Sequence, residues 1–186
     1  MDGIFEFAER QHRTIKLIMN IFYLDKRPDD AAEMHCDKHC VKMILEYAQM
    51  LSTAHRVLDG DNVPDILYKA THKNHPSTIW VRSSKQHYDW LFRLFRMLSA
   101  EYSIRFGLIN DSRDVFKVHK TWDKLGKILE VAPKNIKDNG WVDPPQCMPD
   151  HCKDDDVVKA YRNYYIQEKS SFAKWNYSGK PKWMTT

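Results

Sequence analysis

The chain lacks several signatures that would fix its class at once. It has no run of about 18 consecutive apolar residues, so no membrane-spanning helix is expected. It has no Gly-rich phosphate loop and no nucleophile elbow, which excludes the usual P-loop and serine-hydrolase signatures. None of its four cysteines forms a Cys-x-x-Cys knuckle, and neither His35 nor His39 is followed by the glutamate of a His-Glu-x-x-His zinc site. Asp2, Glu6, Glu9 and Arg10 break up the apolar residues at the start of the chain, which is not the pattern of a secretory signal. A reducing, cytoplasmic setting with free cysteines is therefore the expectation, in the host cytoplasm if the protein is phage-encoded.

What is present is an ordinary globular composition. The 186 residues are 42% hydrophobic and 29% charged, enough for one domain with its own core. The net charge of +4 suits an anionic partner if the cations cluster. Six Trp, nine Tyr and eight Phe are many for this length. Rings interleaved with Lys and Arg can stack bases while holding phosphates, although any single ring is more ordinarily a core residue.

The periodicity predicts a mainly helical fold. Residues 1–18 read as an appended helix, and 19–186 as one helical domain without linker or repeat. Met19 is a plausible internal start, and residues 20–24 are the best strand candidate. Pro28, Asp29 and Asp30 suit the first turn of a helix that would run to about Leu58. A helical turn is expected after Pro76, and a strong helix from Ser84 to Gly107. Another is expected from Asp111 or Ser112 to Pro133, with Gly126 weakening it, and a last one from Val157 to about Lys169.

The chemistry concentrates in two places. His-Cys-Asp-Lys-His-Cys-Val-Lys-Met at 35–43 leads into an apolar helical pattern. On one helix, His35, His39, Lys42 and Glu46 would fall at i, i+4, i+7 and i+11, on one face. The second concentration is Thr-His-Lys-Asn-His-Pro-Ser at 71–77, where His72 and His75 precede Pro76. For the lone histidines on apolar stripes, His87 and His119, a core role is expected.

Three chemistries fit these residues. Zinc could be held by His35 and His39, or by Cys36, Cys40, Cys147 and Cys152 as a four-cysteine site. A nucleotide or DNA phosphate could be held by Lys38, Lys42, His72, Lys73, His75 and Arg82, with Trp80 or Trp90 stacking a base. Cleavage of an N-glycosidic bond could use Glu46 or Glu33 to stabilise positive charge on the sugar, with His35 or His39 moving protons. The alternating cations and rings of the tail, Lys174, Trp175, Lys182 and Trp183, would hold nucleic acid.

The runs at 35–43 and 71–77, followed by Pro-Pro-Gln-Cys-Met-Pro-Asp at 144–150, resemble an uncharacterised family of small bacteriophage proteins. Its members carry His-Cys-Asp-Lys-His-x-Val-Lys-Met and Thr-His-Lys-x-His-Pro motifs. The resemblance spans about residues 19 to 183. That family's pattern has other residues where Cys40, Cys147 and Cys152 stand, which counts against the four-cysteine site. More loosely, the layout is similar to that of the phage pyrimidine-dimer DNA glycosylases. In those, the amine of the mature N-terminus is the nucleophile and a helix glutamate assists. Asn20 would match that terminus if translation began at Met19.

The first expectation is a phage-type protein acting on DNA or nucleotides, a glycosylase-like hydrolase or lyase. The second is a non-catalytic nucleotide binder of the signal-sequestering, counter-defence kind. The third is a zinc-stabilised interaction module. In all three, the 35/39 and 72/75 histidine pairs are expected to line one cavity.

Overall fold

The computed structural model describes residues 19–60, 62–107 and 117–184. The helix expected over 1–18 and the cap expected at Asp111 or Ser112 lie outside them. The described residues are mainly helical and contain no strand. In chain order the helices are α1 (Pro28–Met34), α2 (Asp37–Leu58), α3 (Pro76–Ser83), α4 (Lys85–Phe106), α5 (Lys120–Leu129) and α6 (Val157–Tyr164). Helix α4 is the central strut, with α1, α2 and α3 packed along it and α5 bracing both α2 and α4. Among the described residues no helix is long and apolar enough to cross a membrane.

The strand expected at residues 20–24 is a buried extended segment instead. Met19 to Leu24 are each at most 4% exposed, and their backbone finds side chains rather than a neighbouring strand. Phe22 N–H donates to Tyr47 Oη at 3.3 Å, Ile21 N–H to Asn20 Oδ1 at 2.9 Å, and Arg162 Nε to the Leu24 carbonyl at 2.9 Å. A buried chain must satisfy its polar groups, and these three bonds replace part of a sheet ladder.

The long helix expected from Pro28 to Leu58 is broken in two. His35 and Cys36 are extended, with ψ of 132° and 159°. No proline or glycine lies there, and the cause is remote in sequence. Buried Arg105 on α4 donates to the carbonyls of Glu33 at 2.8 Å and His35 at 2.7 Å. Trp175 Nε1 donates to the Met34 carbonyl at 3.2 Å, and His35 Nδ1 bonds the Ala31 carbonyl at 2.6 Å. The orphan carbonyls at the end of α1 are thus occupied by side chains, and the helix need not continue to satisfy them. On the far side of the break, Asp37 N–H donates to the Lys174 carbonyl at 2.8 Å.

Other ends follow local chemistry. Pro28 occupies the first turn of α1 with Asp29 and Asp30, and Asp156 caps α6 by accepting from the N–H groups of Val158 and Lys159. Ser84 stands at the N-cap of α4, but its hydroxyl bonds Asp138 and Asn139 and so ties the 138–139 loop to the helix. Gly126 sits inside α5 because the Trp122 ring lies over it: an added Cβ would stand 2.9 Å from that ring. The α6 helix continues into a π-turn, Tyr165–Lys169.

The core is rich in tyrosine. Tyr23, Tyr47, Tyr88, Tyr161 and Tyr165 are at most 1% exposed. Three of them meet a histidine: Tyr47 with His35 at 2.9 Å, Tyr165 with His39 at 2.5 Å, and Tyr88 with His55 at 2.9 Å. Each pair places a polar atom in the interior with its partner already present, which is how a buried polar group avoids its desolvation cost.

Candidate functional site

The break between α1 and α2 divides the face expected to be reactive. His35 lies before α2, fully buried. Its Nδ1 contacts a carbonyl, so Nδ1 carries the proton and Nε2 accepts from Tyr47 Oη. A directed chain results: Phe22 N–H to Tyr47 Oη, Tyr47 O–H to His35 Nε2, His35 Nδ1–H to the Ala31 carbonyl. Burial lowers the His35 pKa to about 4, and the charge of Arg105 adds to the effect. His35 is therefore a neutral core residue, not the surface catalyst or metal ligand expected.

His39, Lys42 and Glu46 do share a face of α2. His39 is 6% exposed and stacks on Phe22 with centroids 4.4 Å apart. Its Nδ1 bonds Tyr165 Oη, and its Nε2 makes no hydrogen bond among the described residues. Burial pushes its pKa down to about 2. His35 and the cations of Lys169, Lys42 and Lys38 push the same way. Phe172 lies edge-on to His39 at 5.4 Å, with Lys38 Nζ 4.6 Å from the Phe172 centroid.

Glu46 is 7% exposed, and its carboxylate lies 3.1 Å from Lys42 Nζ. Burial raises its pKa above the ordinary value, against the opposing pull of Lys42 and His72. His72, from the second motif, acts on this carboxyl through its charge. Its φ of 47° is the only positive φ outside glycine among the described residues. That conformation is disfavoured for a residue with a Cβ, and such outliers gather at functional positions. It is held by Thr71 Oγ1 against His72 Nδ1 at 2.8 Å and by His75 N–H on the His72 carbonyl at 2.9 Å. Thr71 is in turn tied to α2, its N–H donating to Thr53 Oγ1 at 3.2 Å.

A strip therefore runs along α2: Lys38 and His39 with Phe172, then Lys42, then Glu46, with the charges of Lys169 and His72 acting on its two ends. Such a strip attracts an anion along its length and offers a carboxyl group whose proton is held more tightly than usual. The two expected histidine pairs do not line one cavity, and each contributes a single member. His75 instead caps α3, its Nδ1 accepting from Ser77 N–H at 3.2 Å. Lys73 is exposed beside His72.

Several expected site residues lie elsewhere. Glu33 is exposed on α1, away from the strip, and contributes its carbonyl to Arg105. Trp80 is 6% exposed, stacked on His87 at 4.4 Å and bonded to the Val142 carbonyl, so it offers no free face to a base. Trp90 is likewise buried, donating to the Lys26 carbonyl. His87 is a core residue, as expected. In the tail, Trp175 and Trp183 turn inward onto Met34, and Arg162 lies 5.6 Å from the Trp183 ring. Lys174 and Lys182 remain exposed, so the tail is a strap with a charged outer edge rather than a stacking platform.

The four-cysteine site does not form. Cys36 and Cys40 are buried with their thiols' pKa pushed up by burial, Cys40 to about 12. Cys40 Sγ points to the Leu98 carbonyl, and Cys147 Sγ to Ser77 Oγ at 3.5 Å. Among the described residues the one group with ligand atoms close enough for a metal is His151, Cys152 and Glu168, all within 4.8 Å. His151 Nε2 is already 2.7 Å from Glu168 Oε1 as an exposed pair, so these two satisfy each other without an ion.

Sequence reasoning missed Phe172, which comes from the end of the chain to lie edge-on to His39, and Lys169, whose charge acts on that ring. Their only sequence signal is the aromatic-basic character of residues 164–175. The fold and strip define a mainly helical protein with a lysine-rimmed carboxyl site. No protein-family pattern, curated protein or solved structure matches the chain.

Proposed function

We propose that this is a phage-type protein acting on DNA or nucleotides, as a glycosylase-like hydrolase or lyase. One observation carries the reading: the buried Glu46 carboxyl, with raised pKa, sits beside Lys42 on a lysine-rich strip of α2. Departure of a base leaves positive charge on the sugar, and a carboxylate at that position stabilises it. The lysines 38, 42 and 169 suit the phosphates on either side, and the neutral His39 offers its Nε2 as a hydrogen-bonding group.

The extended segment supports a lyase variant. Asn20 is two residues, at most about 7 Å of backbone, from Phe22, whose ring stacks on His39. Asn20 itself is 1% exposed, its side chain held by the Cys147 carbonyl and Tyr161 Oη, so an amine at position 20 would have to be uncovered before it met a ligand. The non-catalytic alternative, capture of an intact nucleotide, is favoured by the half-buried Phe172 ring with Lys38 over it, a pairing that stacks a base next to a cation.

The test is to incubate the protein, made from Met1 and from Met19, with ultraviolet-irradiated, uracil-containing and abasic duplexes and with a nucleotide panel. Released base or strand scission supports the reading, and a borohydride-trapped adduct assigns the lyase route. Tight binding with every ligand recovered intact supports nucleotide capture instead.

A further inference from the structure

Four buried side-chain polar atoms lack a partner among the described residues: Ser52 Oγ, Thr78 Oγ1, Arg82 Nη1 and Ser178 Oγ. Two of them belong to residues one turn apart on α3, where i and i+4 side chains share a face with about 6 Å between their Cβ atoms. Arg82 is the more unusual. Among the described residues its buried Nη1 has no hydrogen-bond partner, and burial lowers its pKa with no carboxylate to oppose it. The other arginines withdrawn from solvent are all engaged. Arg56 holds the Tyr68 and Leu67 carbonyls, Arg105 holds Glu101 and two carbonyls, and Arg162 holds Asp25 and the Leu24 carbonyl.

Thr78 is anomalous in the same way. Two buried hydroxyls within helices fold back onto the carbonyl four residues earlier, Thr53 to Gln49 and Ser99 to Phe95, whereas Thr78 and Ser52 do not. Thr78 stands in the first turn of α3, and the residue four back, Asn74, lies outside the helix. Leaving a guanidinium nitrogen and a hydroxyl dry and unpaired costs stability, so such groups call for a missing partner. A guanidinium with a dry, unpaired Nη1 and a hydroxyl one helical turn away match the tetrahedral oxygens of a phosphate.

We propose that Arg82 and Thr78 form an anion seat on α3 that holds a phosphate group of the ligand, apart from the Glu46 strip. The choice of phosphate rests on the nucleotide or DNA reading of the ligand, but the seat does not depend on any chemistry at Glu46. Ester phosphate and free phosphate share this recognition, and the experiment separates them.

The full chain is titrated with a ten-residue thymidine oligonucleotide, with thymidine monophosphate and with inorganic phosphate at several salt concentrations. The seat predicts that Arg82→Gln weakens oligonucleotide binding about tenfold or more and lowers the salt slope by about one. Thr78→Val weakens it by less. Arg82-dependent binding of inorganic phosphate or of the monophosphate supports the seat and identifies the source it accepts. Arg82→Met leaves the melting temperature unchanged or raises it, because no protein partner is lost; a structural role for Arg82 would lower it. A folded Arg82→Gln protein with unaltered affinity and salt slope overturns the proposal, as does a wild-type chain that binds none of the three probes. Arg82-dependent binding without any turnover keeps the seat and removes the glycosylase reading. Turnover indifferent to Arg82 does the reverse.

Discussion

Lys42 sets how tightly Glu46 holds its proton. Burial raises the carboxyl pKa, while the Lys42 hydrogen bond and charge pull it back down. Replacing Lys42 with Met removes that pull, so the carboxyl titrates at higher pH. The acid limb of any pH–rate profile controlled by Glu46 should move upward, and an unmoved limb would assign it to another group. Tyr47, the next residue along α2, has a structural role instead. Tyr47→Phe strips the donor from His35 Nε2 and the acceptor from Phe22 N–H in a fully buried site. That should cost about 1–3 kcal/mol in denaturant unfolding, with little effect on ligand affinity. The residue types at 35–46 are legible as a polar concentration, but their division is not. His35 and His39 are four apart, and the helix break between them, held by Arg105 and Trp175, puts His35 off α2 and His39 on it.

At the scale of elements, the starts of helices are readable and the break is not. Pro28 with Asp29 and Asp30, Pro76 after His75, and Asp156 before Val157 act on neighbours within one turn, so their signals are local. The interruption at residues 35–36 is imposed by Arg105, 70 residues away, and by Trp175 from the tail. Arg105 is 3% exposed and also pairs with Glu101 at 2.9 Å and Asp37 at 3.4 Å. Arg105→Met would strand those carboxylates and two carbonyls, costing about 3–5 kcal/mol and loosening the junction that starts α2. Hydrogen exchange at residues 33–38 would register it; unchanged protection there would disprove the stapling role. Gly126 gives the opposite lesson. A glycine in a free helix position gains about 1 kcal/mol on replacement by Ala. Here the Trp122 ring occupies the space, so Gly126→Ala should lower the melting temperature instead.

At the scale of the molecule, buried neutral histidines make the fold sensitive to acid. His35 titrates at about 4 in the folded chain and at about 6.5 when free, and His39 is lowered further, to about 2. Between those values the unfolded chain binds protons that the folded chain refuses, so stability falls as pH drops from about 6.5 toward 4. Above about 6.5 both states are neutral at these rings and the contribution is flat. For His35 the loss is on the order of 3 kcal/mol across that window. His35→Gln should flatten part of the curve measured by urea unfolding; an identical curve would contradict the assignment. The helical class follows from periodicity that runs the length of the chain. The strip does not, because Phe172 from the end of the chain packs on His39 and Thr71 is tied to Thr53 of α2, contacts that only the closed fold creates.

The most direct test of Glu46 as the reacting carboxyl is base release from a damaged duplex by the wild-type chain and by Glu46→Gln, with DNA affinity measured alongside. The wild type should release base, and loss of the carboxylate should lower that release about 100-fold or more while affinity stays within a few-fold of wild type. Equal release by both proteins would remove Glu46 from the chemistry, and no release by either from any duplex or nucleotide would remove the chemistry itself.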